Sequence, residues 1–302
     1  MGSLRIVQEE IEKRSLSGGG WASGNGRRAG IETTCYALMA LHDRPRPARD
    51  SAIDVLLRTQ NPDGSWPAFE GDDPEGCWTT ALATIAFRFT RSRSAPVEKA
   101  LEWLLHNKGR EGHWFWKWKF RTVDRAVQFN PEKYGWPWVP DTVSWVIPTA
   151  FSLIALKQSF PCCRTEQVAN RIQLGTEMLH DRACPQGGWN AGNGIVFGSP
   201  LTPRIDTTAI AILGLTEDRK QPTVFQGLNW LRQASAECSS AYSLAWAAVA
   251  LLMLHDQAVD LCITRLQRVL GSNSSLSNIE TLSLASIAIN VAEGKANPFE
   301  VR

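Results

Sequence analysis

Six stretches of the chain share one plan, a short polar start that opens directly into a nearly continuous Ala/Leu/Ile run. They are Ile31–Leu41, Cys77–Phe87, Pro140–Leu156, Pro203–Leu215, Ala241–Leu251 and Ile279–Ile289, and the plan is plainest in P-R-I-D-T-T-A-I-A-I-L-G-L from Pro203. A repeat of this kind constrains the architecture before any other feature does. An acid, an aromatic, Ser or Thr stands where an N-cap or first-turn residue belongs, and the run behind it is apolar on every side, as a helix buried all round must be. Between the copies lie amphipathic segments with a single apolar stripe: residues 3–15, Ala48–Gln60, Ala95–Asn107, Thr165–Arg182, Pro222–Ala234 and Asp256–Leu270. The first four lead into Gly-Trp turns ending at Trp21, Trp66, Trp114 and Trp189, whereas the last two have lost the Trp. The period is outer helix, turn, inner helix. With no strand pattern of period two, the expected fold is an all-α closed array of six inner and six outer helices, read as one domain over 1–302.

The third unit departs from that period. From Trp66 to Trp78 is a step of 12 residues, but 27 separate Trp114 from Asp141, and the insertion 115–140 holds the densest mixture of aromatic and basic residues in the chain. A long segment that breaks a repeat is a place to look for function.

Other signals bound the reading. With 32 basic and 30 acidic residues, a formal charge of +2 gives no electrostatic case for nucleic acid. Seven cysteines, odd in number and without paired spacing, argue against a disulfide framework and for a reducing compartment, the cytoplasm. The start M-G-S-L-R-I-V-Q-E-E-I-E-K-R puts acids where a signal peptide needs an apolar run, and no stretch is long and apolar enough to span a bilayer, which leaves peripheral association with a membrane surface open.

The residues also carry a family likeness. Gln60-Asn61-Pro62-Asp63-Gly64-Ser65-Trp66 matches the Q-x-x-x-G-x-W repeat of squalene-hopene and oxidosqualene cyclases and their protein-prenyltransferase relatives. Gly19-Gly20-Trp21, Gly112-His113-Trp114 and Gly187-Gly188-Trp189 resemble weaker copies. The resemblance implies an (α/α)6 toroid whose inner helices surround a cavity. A Gln at a helix end, a Gly at the reversal and a Trp over the turn are structural clamps, so Gln60, Trp66, Trp114 and Trp189 are expected to be scaffold. Arg204-Ile205-Asp206-Thr207-Thr208-Ala209 lies over the D-x-D-D-T-A motif of squalene-hopene cyclases, which implies Asp206 as the acid that protonates an alkene. Arg204 and Thr207 replace two of that motif's acids. Triterpene cyclases have two toroids with the cavity between them. This chain has residues for one, so its cavity is expected inside the ring or at a subunit contact.

If the inner helices run parallel, Glu32, Asp141, Asp206 and Glu280 share one rim. An acid at a helix start is held as an anion by free N–H groups and the macrodipole, the role assigned to Glu32 and Glu280. Asp206 and its rival Asp141 are the catalytic candidates, because aromatic or glycine-rich loops flank them. A site that generates a carbocation needs aromatic faces, and Trp78, Trp116, Trp118, Tyr134, Trp136, Trp138 and Trp145 are candidates to line it, with Arg204 beside the acid. Lys117, Lys119, Arg121, Arg125, Arg27, Arg28 and Arg204 are either receivers of a diphosphate or a solvated face. Prenyltransferases hold zinc with an Asp-x-Cys pair and a later His. Asp260-Leu261-Cys262 fits the pair, but His255 is the last histidine, so no metal and no cofactor is expected. The vicinal Cys162-Cys163 is read as a loop or packing pair.

The function expected is protonation-initiated cyclisation of an isoprenoid alkene. The alternatives are a non-catalytic toroid that binds an apolar ligand or a protein, and, third, prenyl transfer.

Overall fold

The computed structural model describes residues 2–301 apart from 45, 73, 93, 124–127 and 274–277. Its inner helices are α2 (Ile31–Ala40), α4 (Thr79–Phe89), α7 (Val146–Ser159), α9 (Ile205–Gly214), α11 (Ala241–Met253) and α13 (Ile279–Ala292). The outer helices are α1 (Gly2–Lys13), α3 (Arg46–Thr59), α5 (Ser94–His106), α8 (Glu166–Asp181), α10 (Pro222–Glu237) and α12 (Val259–Asn273), and α6 (Trp114–Thr122) belongs to the insertion. Each inner helix packs on the next, and α13 returns to α2, which closes the ring; α1 packs on α13, and every other outer helix on the inner helix before it. The fold is the expected all-α toroid. Its one sheet among the described residues is a two-stranded hairpin, β1 (Ile195–Val196) with β2 (Ser199–Pro200).

The Gly-Trp turns hold the two layers together through one repeated set of bonds. In four units an indole Nε1 donates to a carbonyl near the end of an outer helix: Trp21 to Ile11, Trp66 to Leu56, Trp136 to Leu104 and Trp189 to Leu179, all at 2.7–2.8 Å. The same tryptophans donate their backbone N–H to a threonine Oγ1 early in the following inner helix: Thr34, Thr80, Thr149 and Thr208, at 2.9–3.1 Å. One residue thus bonds a carbonyl in the last turn of the outer helix and ties it to the start of the inner one. Gln60 does related work, donating to the carbonyls of Gly64 and Pro96 at 2.9 Å. Gly64 is required twice over, since its φ is +92° and a Cβ there would lie 2.5 Å from the Lys99 backbone.

The third clamp corrects two sequence expectations. Trp114 is not scaffold: it is 74% exposed on α6. Its place is taken by Trp136, which is fully buried with the Arg171 guanidinium 3.6 Å above its ring, and so is a clamp rather than a substrate-binding residue. The fifth and sixth units lack the Trp and start their inner helices instead with side-chain N-caps, Ser240 to the Ser243 N–H and Asn278 to the Thr281 N–H.

Replacing Trp66 by Phe keeps most of the buried ring but removes the 2.7 Å indole bond to the Leu56 carbonyl, leaving only the longer Thr59 hydroxyl contact at 3.3 Å. Urea unfolding should show a loss of about 1–3 kcal/mol. Trp114→Phe should stay within about 0.5 kcal/mol of the wild type.

Candidate active site at the mouth of the ring

All six inner helices start at one end, and the turn segments stitch that rim together. Ile31 N–H donates to Ala68 O, Trp78 N–H to Trp138 O and Val146 N–H to Ala191 O, each at 2.9 Å. The rim therefore draws its carboxylates from residues far apart in sequence. Glu32 is in the first turn of α2, Asp206 in that of α9 and Glu280 in that of α13.

Glu32 and Glu280 face one another electrostatically because ring closure brings α13 against α2. Thr33 Oγ1 donates to Glu280 Oε1 at 2.6 Å, while Glu280 Oε2 is buried with no partner. Burial first, and then the charge of Glu280, push the Glu32 carboxyl up from its ordinary 4.5 to about 7, with the Tyr36 hydroxyl pulling the other way as a hydrogen-bond partner. The rise corresponds to about 3 kcal/mol. A helix start favours an anion by only about 0.3–1 kcal/mol, so here desolvation wins. The expectation that Glu32 is a simple helix-start anion is thereby corrected: near neutral pH it carries a proton that it can give. Burial and the same acids also push the Tyr36 and Tyr242 hydroxyls upward, which keeps both neutral.

Asp206 is buried, and Arg204, itself exposed, donates to its Oδ2 at 3.2 Å. Paired in this way, Asp206 is a hydrogen-bond acceptor on the rim. Asp141 departs from its expected position. Helix α7 starts at Val146, so Asp141 stands before it in a turn with φ +60°, exposed to solvent in a shallow cavity of about 380 Å³ with Arg110, His113 and Trp116.

Aromatic rings run from the rim into the ring's centre. Trp138 meets Trp78 edge-on at 5.2 Å, Trp78 meets Phe151 at 5.6 Å, Phe151 meets Trp246 at 5.8 Å, and Trp246 meets Tyr36 at 5.9 Å. Phe299 enters the column from the C-terminal segment, 5.1 Å from Trp246 and 6.1 Å from Phe151. The lower centre is therefore filled by side chains, where the sequence leads one to expect a cavity inside the toroid. Buried hydroxyls of Thr207 and Ser283, early in α9 and α13, have no partner either.

The other sequence candidates divide. Trp78 and Trp138 reach the mouth, and Trp145 packs over Gly192 at the start of α7. Trp116 and Trp118 do not join Trp78: they lie on α6, which buries none of its residues, and Trp116 is held between Arg110 and Lys119. Tyr134 packs between Lys117 and Arg171. Lys117 and Arg121 are paired with Glu132 at 2.7 and 2.5 Å, and Arg28 donates to the Gly71 carbonyl, which counts against a diphosphate receptor built from them. Arg125 lies outside the described residues. Asp260 and Cys262 sit on outer helix α12, and among the described residues no three His, Cys, Asp or Glu side chains gather as a metal-ligand set. All seven cysteines are free thiols; Cys162 and Cys163 are exposed, which corrects the packing reading of that pair. Among the described residues no helix is long and apolar enough to cross a membrane.

No family model matches the chain, and no curated protein matches it in sequence. Solved structures do. The type II terpene cyclase MstE from Scytonema, without ligand, superposes with a TM-score of 0.63 at 16% identity over 97% of each chain. An α-amylase from Clostridium perfringens gives 0.65 at 9% identity over 95% of this chain and 96% of its own. The GH76A α-1,6-mannanase from Salegentibacter sp. HEL1_6 gives 0.62 at 10% identity over 97% and 98%. At these identities the likeness is one of fold, an α/α toroid used for more than one chemistry.

The raised Glu32 carboxyl makes stability depend on pH with a definite sign. Between about 4.5 and 7 the folded state binds a proton that the unfolded state has released, so stability falls as pH rises through that window. Glu32→Gln should remove on the order of 3 kcal/mol of the loss seen between pH 5 and pH 8 in urea unfolding. An unchanged pH dependence would refute the raised carboxyl.

Proposed function

We propose that the chain is a terpene cyclase-like enzyme in which Glu32 protonates the alkene of an uncharged isoprenoid held at the mouth of the ring. The observation that carries this reading is Glu32 itself, a carboxylic acid protonated near neutrality beside Glu280, at the upper end of an aromatic column. Proton transfer from Glu32 to one alkene carbon leaves a cation on the other and a carboxylate on the protein. A second alkene of the chain closes the ring by attacking that cation, and loss of a proton ends the sequence. The face of Trp78, half-buried at the rim, and the carboxyl groups of Glu280 and Asp206 stabilise the cation in transit. Asp206, which the family motif suggests as acid, serves in this reading as a fixed negative charge held by Arg204.

The same rim argues for the class of substrate. Three carboxyl groups face the mouth and the nearby guanidinium of Arg204 is already paired, so a diphosphate there meets like charge. The filled lower centre favours shorter chains. It also favours a second reading, a non-catalytic toroid whose mouth binds an apolar ligand, because no carbocation chemistry is needed to fit a ligand over Tyr36 and Trp246.

Turnover of C15, C20 and C30 isoprenoids, with and without diphosphate, separates the readings. Glu32→Gln should lower cyclisation by about 10²-fold or more, and wild-type kcat should decline as pH rises through about 7. Asp141→Asn should leave turnover unchanged. Loss in Asp206→Asn with activity kept in Glu32→Gln would transfer the acid to Asp206, and binding without turnover would favour the second reading.

A further inference from the structure

Helix α6 is the one element of the described chain that presents an aromatic stripe to solvent. At 100° per residue, Trp114, Phe115 and Trp118 fall on one arc of the helix, with Thr122 between them. Trp114 is 74% exposed, Trp118 56% and Phe115 45%. Lys119 and Arg121 flank the stripe on either side. Soluble proteins seldom leave such an arc bare unless it meets something.

The base beneath α6 is fixed, so the stripe is not a frayed loop. Arg110 N–H donates to Thr142 O at 2.8 Å, and the buried Glu111 carboxylate accepts the Ser144 N–H at 3.1 Å with Arg182 3.6 Å away. These contacts hold the root of α6 against the segment that leads into α7, at the end of the ring where the inner helices start. Phe197, 82% exposed at the tip of the β1–β2 hairpin, stands by the far end of the insertion, since Gln128 N–H reaches Ile195 O.

We infer that α6 docks the protein on an anionic lipid surface, with Trp114, Phe115 and Trp118 in the headgroup boundary, Lys119 against lipid phosphates and the net positive charge around the helix drawing it to the surface. Residue type and charge select this partner. Trp has an apolar body with a polar N–H and is suited to the boundary between acyl chain and headgroup, and basic residues beside an apolar stripe are the complement of anionic headgroups. Of the charged side chains near the stripe, Arg110, Lys117, Lys119 and Arg121 are positive, Glu132 pairs with Lys117 and Arg121, and Asp141 shares a cavity with Arg110. The surplus is positive. The inference does not depend on the chemistry proposed above, because binding is measured without turnover.

Co-sedimentation of the full chain with vesicles of phosphatidylcholine, alone or mixed with phosphatidylserine, tests it. The wild type should bind the mixed vesicles more tightly, and its tryptophan fluorescence should be quenched by bromine placed high on the acyl chains. The double variant Trp114→Ser/Trp118→Ser should weaken binding about tenfold or more, with an unchanged circular dichroism spectrum. Lys119→Gln/Arg121→Gln should reduce the preference for the mixed vesicles while leaving binding to phosphatidylcholine nearly intact. No binding to either vesicle, or binding unaffected by loss of both tryptophans, overturns the inference. So does self-association in sedimentation velocity that the tryptophan variant abolishes, since the stripe would then be a contact between copies of this chain.

Discussion

The bond from an indole N–H to the last turns of an outer helix is the constraint on which the rest of this molecule depends. A toroid of short helices has many helix ends, and each end leaves backbone groups without partners. Trp21, Trp66, Trp136 and Trp189 satisfy one carbonyl apiece and, through the backbone N–H to a threonine, fix where the next inner helix begins. Because all inner helices then start at one end, their first-turn side chains form a rim. The acid at that rim is therefore a product of the scaffold's own geometry.

At the rim two effects compete, and their sizes decide the outcome. Helix N-termini favour carboxylates by a fraction of a kcal/mol to about one, and burial beside a second carboxylate disfavours them by more. For Glu32 burial and Glu280 prevail. Asp206 instead has a guanidinium partner, Arg204 at 3.2 Å. Two acids at equivalent helix starts thus meet different neighbours, one a second carboxyl group and the other a cation.

The repeat made the fold readable from residues alone, since apolar runs of inner helices and striped outer helices alternate without exception. The third clamp is hidden in the sequence because Gly112-His113-Trp114 imitates the turn. A signal in the sequence does separate the two tryptophans: Thr34, Thr80 and Thr149 follow Trp21, Trp66 and Trp136 by 13 or 14 residues, whereas no threonine follows Trp114 at that spacing. Glu32 was not readable in this way. Its partner Glu280 lies 248 positions away, and only closure of α13 on α2 makes them neighbours. Nor could residue pattern show that Phe299 fills the centre, for nothing local to Asn297-Pro298-Phe299 points inward. The Trp and Lys residues of the insertion stand out in the sequence, but which of them face the ring depends on where α6 leaves it.

A glutamic acid at the rim that keeps its proton near neutrality is tested most directly by the carboxyl carbon resonances of glutamate, followed by NMR from pH 3 to 9 on protein labelled at that carbon. One resonance should titrate near 7 and be missing from the Glu32→Gln protein. If every glutamate carboxyl completes its titration by about pH 5.5, Glu32 is an ordinary anion and the rim holds no proton donor of this kind.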